Sequence, residues 1–216
     1  MPFSAIIIHE VMLYCRLKPG DNAHQFWPAG GYQVPEEENL VRRAQQRDQQ
    51  AFAQLYEEHF DKIYRYVVLR IGNETEAEDV TQQVFLNALQ SISSFRWKGV
   101  PFSAWLFRIA HNQVVDYLRK KTKQATVPVD ESTVSVINNP QLLVEQRLDI
   151  EQLLSATRRL TPAQREVISL RFAGELPIAQ VAKIIGKSQG AVKALQHSAI
   201  VALRKALSVG PEKEED

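Results

Sequence analysis

Residues 178–197 read IAQVAKIIGKSQGAVKALQH, a pattern typical of two short helices that cross closely around a tight turn. Ala182 is the small residue expected where the helices cross, and Gly186 can adopt the positive φ that such a turn requires. Ser188 is placed to cap the second helix. The apolar residues that can fill the core between the helices are Val181, Ile185, Val192 and Leu195. The stretch therefore predicts a helix-turn-helix.

The start of the second helix presents polar and small side chains, and in a helix-turn-helix this end meets base edges and phosphates. An ordinary helical hairpin, in which alanine and glycine only allow close packing, gives the same pattern. The pattern alone leaves DNA binding and simple packing open. The candidate DNA-contacting residues are Lys187, Ser188, Gln189, Lys193, Gln196 and His197.

The distribution of charge favours nucleic acid as the partner of this segment. Residues 152–206 contain nine Lys or Arg against two Glu, a balance of +7, which is typical of a module that contacts phosphates. The whole chain conceals this block, because 26 Lys and Arg against 25 Asp and Glu leave a net charge of only +1. Residues 39–124 form a second positive block of +4, and the three remaining segments are acidic. A near-neutral total therefore does not exclude DNA.

Helical periodicity also runs through residues 39–124, where glycine is sparse and apolar residues recur at spacings of three and four. We predict a helix through residues 52–67, a second helix that starts at a capping box of Thr75 and Glu78, and a third over about 102–121. No long strand-like alternation interrupts these segments. The predicted fold class is all-α, with two small helical domains.

Turn-forming and acidic residues interrupt the helical pattern at residues 125–151, which we interpret as a flexible linker. After it, Thr161, Pro162 and Gln164 form the strongest helix start in the chain, with an N-cap, a proline at the first helical position and a capping-box glutamine. The predicted organisation is an N-terminal extension of unknown role (1–38), a helical bundle (39–124), the linker (125–151), a helix-turn-helix domain (152–207) and a charged tail (208–216).

Composition indicates in which compartment the chain works and which kinds of chemistry it can perform. Cys15, the single cysteine, cannot form an internal disulfide, so the sequence indicates a cytoplasmic protein. The apolar runs near the start are too short for a signal peptide, and no later run reaches the roughly 20 apolar residues of a membrane span. The sequence shows neither clustered carboxylates nor the His and Cys spacing of a zinc site. We expect no membrane insertion, no metal, no cofactor and no catalysis.

Residues 94–102 read SFRWKGVPF and interleave aromatic with basic residues in a loop before a helix. Such a loop can stack unpaired bases and hold a nucleic-acid backbone electrostatically. The alternative is that Phe95, Trp97 and Phe102 cap the core; Trp97, which is flanked by charges, is the better surface candidate. The following helix ends in basic residues, which suit a DNA backbone as readily as a solvated helix end.

Several motifs in the chain resemble those of one known family. They are AEDVTQQVFL at 77–86, FSAWLFRIAHN at 102–112, DYLR at 116–119, LTPAQREV at 160–167, and then the helix-turn-helix. Their order is similar to that of the extracytoplasmic-function (ECF) sigma factors of the sigma-70 family, over about residues 39–207. The resemblance implies a non-catalytic promoter-recognition subunit of bacterial RNA polymerase. The bundle would be sigma region 2 on the −10 element, and the helix-turn-helix domain would be sigma region 4 on the −35 element.

The resemblance also implies site residues and partners. The helix that carries Asp79, Gln82, Gln83 and Phe85 would dock on the clamp helices of the largest polymerase subunit, although acidic residues favour the first turn of any helix. The aromatic loop would receive a base flipped from the non-template strand and so aid strand separation. An anti-sigma factor is a further implied partner. The implied −10 contacts are Arg96, Trp97, Lys98, Phe102, Arg108, Asn112, Arg119 and Lys120.

The second helix of the helix-turn-helix departs from the family pattern, which commonly places arginines after the lysine. Leu195, Gln196 and Ser198 occur after Lys193 here, so the −35 contacts of the family do not transfer as a set. A free-standing, dimeric DNA-binding regulator is the alternative function. Such a regulator would bind duplex DNA alone, whereas a sigma factor needs polymerase for stable binding.

Overall fold

The computed structural model describes residues 34–97, 100–124 and 155–208, which fall into two compact units. Every regular element in these ranges is helical, which confirms the all-α prediction. The predicted linker lies outside the described residues, as do Lys98 and nearly all of the predicted N-terminal extension and charged tail.

The described residues of the first unit form four helices and one short 3₁₀ turn. Their bounds are α1 Val34–Gln45, α2 Gln49–Ile71, α3 Glu74–Ser91, the 3₁₀ turn Ile92–Ser94 and α4 Phe102–Gln124. Helix α2 packs against α1, α3 and α4, and α1 also packs against the 3₁₀ turn. Large buried side chains such as Ile63, Tyr66 and Phe107 form the core, and each contributes about 1.5–3 kcal/mol relative to an exposed position.

Helix α1 crosses the predicted domain boundary at residue 38, which corrects that part of the sequence interpretation. The helix begins at Val34 and has Glu36 and Glu37 in its first turn, where negative charge stabilises the helix dipole. Its apolar face, with Leu40 and Val41, is buried. Glu37 lies on the same buried face, so the apolar period starts only after the acidic run and is too short to predict the helix from the sequence.

The N-cap of helix α3 lies two residues before Thr75, which the sequence predicts as the N-cap of a capping box with Glu78. Gly72 ends α2 in the left-handed conformation, with φ 77°, and Asn73 follows it in an extended conformation. The side chain of Asn73 accepts a hydrogen bond from the backbone N–H of Glu76 at 3.0 Å. Asn73 is therefore the N-cap, because the turn at Gly72 delivers it in the conformation that capping requires.

In the described part of the second unit, helical residues 155–158 precede three α-helices, the first of which continues into a π-helical turn. Their bounds are α5 Pro162–Ile168, the π-helix Ser169–Ala173, α6 Ile178–Ile185 and α7 Gln189–Ser208. The predicted helix start is confirmed, since Thr161 and Gln164 form a reciprocal capping box and Pro162 occupies the first turn. Helix α7 packs against both α5 and α6, so its outward face is set by the burial of the opposite face.

Helices α6 and α7 form the predicted helix-turn-helix. Gly186 joins them with φ 65°, and Ser188 caps α7 by accepting a hydrogen bond from the backbone N–H of Ala191 at 3.2 Å. Val181 and Val192 are fully buried between the helices. The other two predicted core residues, Ile185 and Leu195, are half-buried.

Two glycines of this motif should respond to substitution in opposite directions. Gly186→Ala should destabilise the second unit by about 1–2 kcal/mol, because an added Cβ meets nothing within 4 Å but must adopt a positive φ. Gly190→Ala should be neutral or stabilise the unit by roughly 0.5 kcal/mol, because Gly190 has ordinary helical geometry. Hydrogen exchange of the α7 amides measures both free energies. Equal destabilisation by the two variants would contradict the role given to Gly186.

Candidate functional site

One face of α3 is exposed along its length and carries most of the residues predicted to bind a partner. Asp79, Gln82 and Gln83 are exposed, and they share this face with Leu86, whose exposed fraction is 47%. Their spacings of three, four and seven residues place them together on the helix. The opposite face is buried through Ala77, Thr81, Val84 and Ala88. The exposed face therefore combines one carboxylate, two amides and one large apolar side chain.

Phe85 does not belong to this exposed face, which corrects the prediction that it contacts a partner. It is only 5% exposed, and its ring centroid lies 4.6 Å from that of Tyr56 and 6.2 Å from that of Phe60. These contacts place it between α2 and α3. Helical spacing was the available signal, since Leu86 lies three and four residues after Gln83 and Gln82, whereas Phe85 lies at the edge of the buried face.

The beginning of α3 is strongly acidic, and the pKa values of its neighbours show this. Burial, together with the charges of Glu74 and Glu78, raises the pKa of Tyr64 on α2 to about 12. Burial and the charge of Glu78 also raise the pKa of the Glu74 carboxyl. The exposed face with Asp79 thus begins beside a concentration of negative charge, which favours a cationic partner.

The aromatic loop is buried at Phe95 and Phe102 and half-exposed at Trp97. Phe95 and Phe102 are 4% and 1% exposed, and their ring centroids lie 5.8 Å apart in an edge-on arrangement. Trp105 packs on Phe95 at 5.2 Å. Trp97 is half-buried and meets Phe95 edge-on at 5.7 Å. Phe102 is thus a core residue beneath the loop, which corrects its prediction as a direct base contact, while Trp97 lies at the margin.

The backbone at the start of this loop is held by side chains. The exposed Arg96 donates from Nη1 to the carbonyl oxygens of Ser93 at 2.7 Å and Phe95 at 3.0 Å. Gln45 donates from Nε2 to the carbonyl oxygens of Ile92 at 3.0 Å and Phe95 at 2.9 Å. This role of Gln45 could not be predicted from the sequence, because its partners lie about 50 residues away.

Helix α4 presents a polar stripe of exposed side chains. Arg108, Asn112 and Arg119 lie on this stripe together with Val115, whose exposed fraction is 42%. Asn112 is exposed, so it is not a buried, structural asparagine. Arg119 pairs with Asp116 at 3.0 Å and keeps a side-chain exposure of 66%. All three polar side chains are therefore accessible to a ligand.

The C-terminal end of α4 is basic, but its lysines differ in their surroundings. Lys121 lies 2.8 Å from a carboxyl oxygen of Glu76 at the start of α3. The hydrogen bond that Lys121 donates to Glu76 raises the pKa of Lys121. Partial burial opposes ionisation of Glu76, yet hydrogen bonds from Lys121 and Tyr117 lower its pKa overall. Lys121 therefore binds Glu76 within the unit. The neighbouring Lys120 is exposed.

Helix α7 exposes five of the six residues predicted to contact DNA. The exposed residues are Lys187, Ser188, Gln189, Lys193 and His197. Lys187 and Ser188 immediately precede the helix, so the set surrounds its N-terminal end. Their donors and positive charges are suited to phosphate and base-edge contacts at the N-terminal half of a recognition helix.

Gln196 is the sixth predicted residue, and the structure corrects its role. It is 7% exposed, and its Oε1 accepts a hydrogen bond from Nε of Arg171 at 3.1 Å. Arg171 also donates from Nη1 to the carbonyl oxygen of Leu176. Gln196 therefore fixes the helix against the rest of the unit, because a buried amide and a guanidinium must satisfy each other. Helical spacing could have identified this, since Gln196 lies four residues after Val192 and three residues before Ala199, both of which are completely buried.

In the described part of the chain, no group of three or more His, Cys, Asp or Glu is arranged to hold a metal ion. None of the described helices has both the length and the apolar character needed to cross a bilayer.

Comparison with known families and proteins gives matches in both units. The family model "Sigma-70 region 2" matches residues 55–124, and "Sigma-70, region 4" matches residues 157–205. ECF RNA polymerase sigma factor BldN of Streptomyces coelicolor is 39% identical over 170 residues, which cover 78% of this chain and 64% of BldN. SigW of Bacillus subtilis, also an ECF sigma factor, is 31% identical over 177 residues, which cover 77% of this chain and 94% of SigW.

Two solved structures share the fold. CnrH, in complex with the cytosolic domain of CnrY, matches with a TM-score of 0.63 and 25% identity, covering 80% of this chain and 97% of CnrH. The sigma factor RpoE of Bartonella quintana, in complex with the anti-sigma factor NepR, matches with a TM-score of 0.60 and 23% identity, covering 73% and 97% of the two chains.

The two family matches follow the order of the two structural units, and the match to SigW extends over nearly the whole of that relative. The aromatic loop, the exposed face of α3 and the helix-turn-helix all lie within the matched segments. The resemblance found in the sequence motifs is therefore confirmed, and the chain belongs to the ECF RNA polymerase sigma factors, a family of non-catalytic subunits for promoter-specific transcription.

Proposed function

We propose that this chain directs bacterial RNA polymerase to promoters by binding core polymerase through α3, the −10 element through the aromatic loop and α4, and the −35 element through α7. The observation that carries this proposal is the division of exposed residues between the helices. The start of α3 is acidic, while α4 and α7 expose basic and amide side chains. One part of the chain thus suits a cationic protein, and two others suit DNA.

The polymerase-binding step is assigned to the exposed face of α3. An acidic and amide face with one exposed leucine complements a basic partner helix that has an apolar stripe. The polar contacts come from Asp79, Gln82 and Gln83. The apolar contact comes from Leu86 and not from Phe85, the residue predicted from the sequence. The clamp helices of the largest polymerase subunit are the proposed partner.

The −10 step is assigned to the aromatic loop and the exposed stripe of α4. Flipping a base out of the duplex costs a few kcal/mol, and stacking on an aromatic side chain returns roughly 1–3 kcal/mol per base. Trp97 meets Phe95 edge-on, with 5.7 Å between the ring centroids, and is only half-buried. Part of its ring is therefore available for stacking. Arg96 and Lys98 belong to the same loop and supply positive charge. The α4 residues proposed for backbone and base contacts are Arg108, Asn112, Arg119 and Lys120.

The −35 step is assigned to the beginning of α7. Lys187, Ser188, Gln189, Lys193 and His197 surround the part of the helix that enters the major groove in helix-turn-helix proteins. Gln196 acts indirectly, because its contact with Arg171 sets the orientation of α7. Lysines that contact phosphates add affinity for any sequence, so Gln189 and His197 are the candidates for base recognition.

Two further parts of the proposal concern partners and location. The likeness to CnrH, solved with the cytosolic domain of CnrY, supports an anti-sigma factor as a partner of this chain. A cytoplasmic location follows from the proposed work on polymerase and DNA. The expected lack of catalysis fits the family to which the chain belongs.

The assignment of α3 is tested by Asp79→Arg. A like charge against a basic partner costs several kcal/mol, so association with core polymerase should fall more than tenfold while the fold persists. Glu57→Arg, at an exposed acid of α2, is the matched control and should bind normally. Affinity for core polymerase and transcription in vitro from genomic fragments are the measurements. Normal association of Asp79→Arg, or stable promoter binding without polymerase, would overturn the proposal.

Strand separation is tested by Trp97→Ala. Loss of one stacking platform, worth roughly 1–3 kcal/mol, should lower open-complex formation about tenfold and leave closed-complex binding within twofold. Permanganate reactivity of unpaired thymines measures opening, and a gel shift of the holoenzyme measures the closed complex. Trp97→Phe should recover most of the opening, because it keeps an aromatic face. An equal loss of both complexes would show that Trp97 serves packing alone.

DNA recognition by α7 is tested by Lys193→Ala. The affinity of the holoenzyme for −35 DNA should fall about tenfold, and the slope of its salt dependence should decrease by about 1 if Lys193 contacts a phosphate. Arg159→Ala, at an exposed cation of the same unit outside α7, is the control and should change neither quantity by more than twofold. Unchanged affinity of Lys193→Ala would place the contact surface elsewhere.

A further inference from the structure

Helix α1 lies outside the segment that matches sigma-70 region 2, yet it contacts the start of the aromatic loop. The family match covers residues 55–124, whereas α1 spans Val34–Gln45. The last residue of α1, Gln45, donates from Nε2 to two carbonyl oxygens, those of Ile92 at 3.0 Å and Phe95 at 2.9 Å. A primary amide has two N–H donors, so Gln45 can satisfy both acceptors at once.

These two carbonyls lie where the chain leaves the 3₁₀ turn and enters the loop. The oxygen of Ile92 also accepts from the backbone N–H of Phe95 at 3.1 Å. The oxygen of Phe95 also accepts from Arg96 at 3.0 Å. Gln45 therefore joins both sides of a short turn whose next residues are Arg96 and Trp97. Its amide fixes the direction in which the chain departs toward Trp97.

Helix α1 also reaches the other end of the loop through a second contact. Glu37, in the first turn of α1, places Oε1 3.3 Å from Nε2 of His59 on α2, and both side chains are buried. The ring of His59 packs against Phe102, the first residue of α4, with 5.5 Å between centroids. The two ends of α1 thus support the two ends of the loop.

We infer that α1 is a brace for the aromatic loop and that Gln45 is a positioning residue for strand separation. Gln45 acts through the loop backbone and touches no DNA. The inference rests on the proposed function of the loop as the −10 reader. A loop held in place before DNA binds avoids the entropic cost of ordering its residues, so more of the stacking free energy is available for opening the duplex.

The test compares Gln45→Met with Gln46→Met in the full-length chain bound to core polymerase. Methionine keeps the length and the helix propensity of glutamine but has no N–H donor. Gln46 is the exposed neighbour and serves as the matched control. Gln45→Met should lower open-complex formation about tenfold, while core association and closed-complex binding stay within twofold. Gln46→Met should leave all three quantities within twofold.

Hydrogen exchange supplies a readout of the loop itself. In Gln45→Met the amides of residues 95–97 should exchange about tenfold faster, and those of α1 should keep their protection. Opening within twofold of wild type overturns the inference. Loss of α1 protection together with loss of core association also overturns it, because that result describes a general folding defect. Gln45→Glu, which replaces the donors by a carboxylate, should reproduce the opening defect.

Trp97→Ala in the same assay separates failure of the brace from failure of the proposed function. If Trp97→Ala impairs opening and Gln45→Met does not, the loop reads DNA but α1 does not position it. If Trp97→Ala leaves opening unchanged, the proposed role of the loop is wrong, and the inference about Gln45 is overturned with it.

Discussion

The first unit depends on the burial of α2, because α2 packs against α1, α3 and α4. Ala51, Ile63, Tyr66 and Val67 are completely buried in these contacts. A helix that buries one face can present only the opposite face, so packing on α2 determines which residues of α3 and α4 remain exposed. The small residues Ala77, Val84 and Ala88 let α3 approach closely. The exposed positions of Asp79 and Leu86 are a consequence of that approach.

The second unit orients its exposed helix partly by a polar contact. Arg171 donates to Gln196 of α7 and to the backbone at Leu176, so it joins the π-helix, the following turn and the recognition helix. A part-buried polar pair contributes little net stability, but an incorrect orientation of α7 would break this hydrogen bond of the buried Gln196 amide at a cost of about 1–3 kcal/mol. The pair thus adds specificity of orientation to the apolar contacts of Val192 and Leu203.

Local rules predicted most of the fold, and long-range contacts decided most of what they missed. Pro162, Gly186 and Ser188 act through neighbours within a few residues, so their roles were predictable from spacing. Asn73 was missed because two caps compete within three residues and the turn at Gly72 favours the earlier one.

In the candidate site, too, local spacing predicted the exposed residues, and long-range contacts decided what it missed. Asp79 and Lys193 are exposed as the sequence predicts, since polar residues opposite an apolar face point outward. Phe85, Phe102 and Gln196 were assigned to the surface by motif position, and their burial depends on Tyr56, His59 and Arg171. These partners lie 25 or more residues away in the sequence. Helical spacing places Phe85 and Gln196 on buried faces, but it cannot identify the partners that they contact there.

The charge pattern has a physical reason within the first unit. In the proposed function, the first unit approaches both an anionic strand and a basic protein surface, and opposite charges spread evenly over one surface would weaken both attractions. Here α3 begins with a group of acidic side chains, and α4 ends with a group of basic ones. Glu76 and Lys121 form an ion pair where these two ends meet. That ion pair joins α3 to α4 and neutralises the charges where the two helix ends meet. The start of α3 therefore stays acidic and the end of α4 stays basic, while the chain as a whole remains near neutrality.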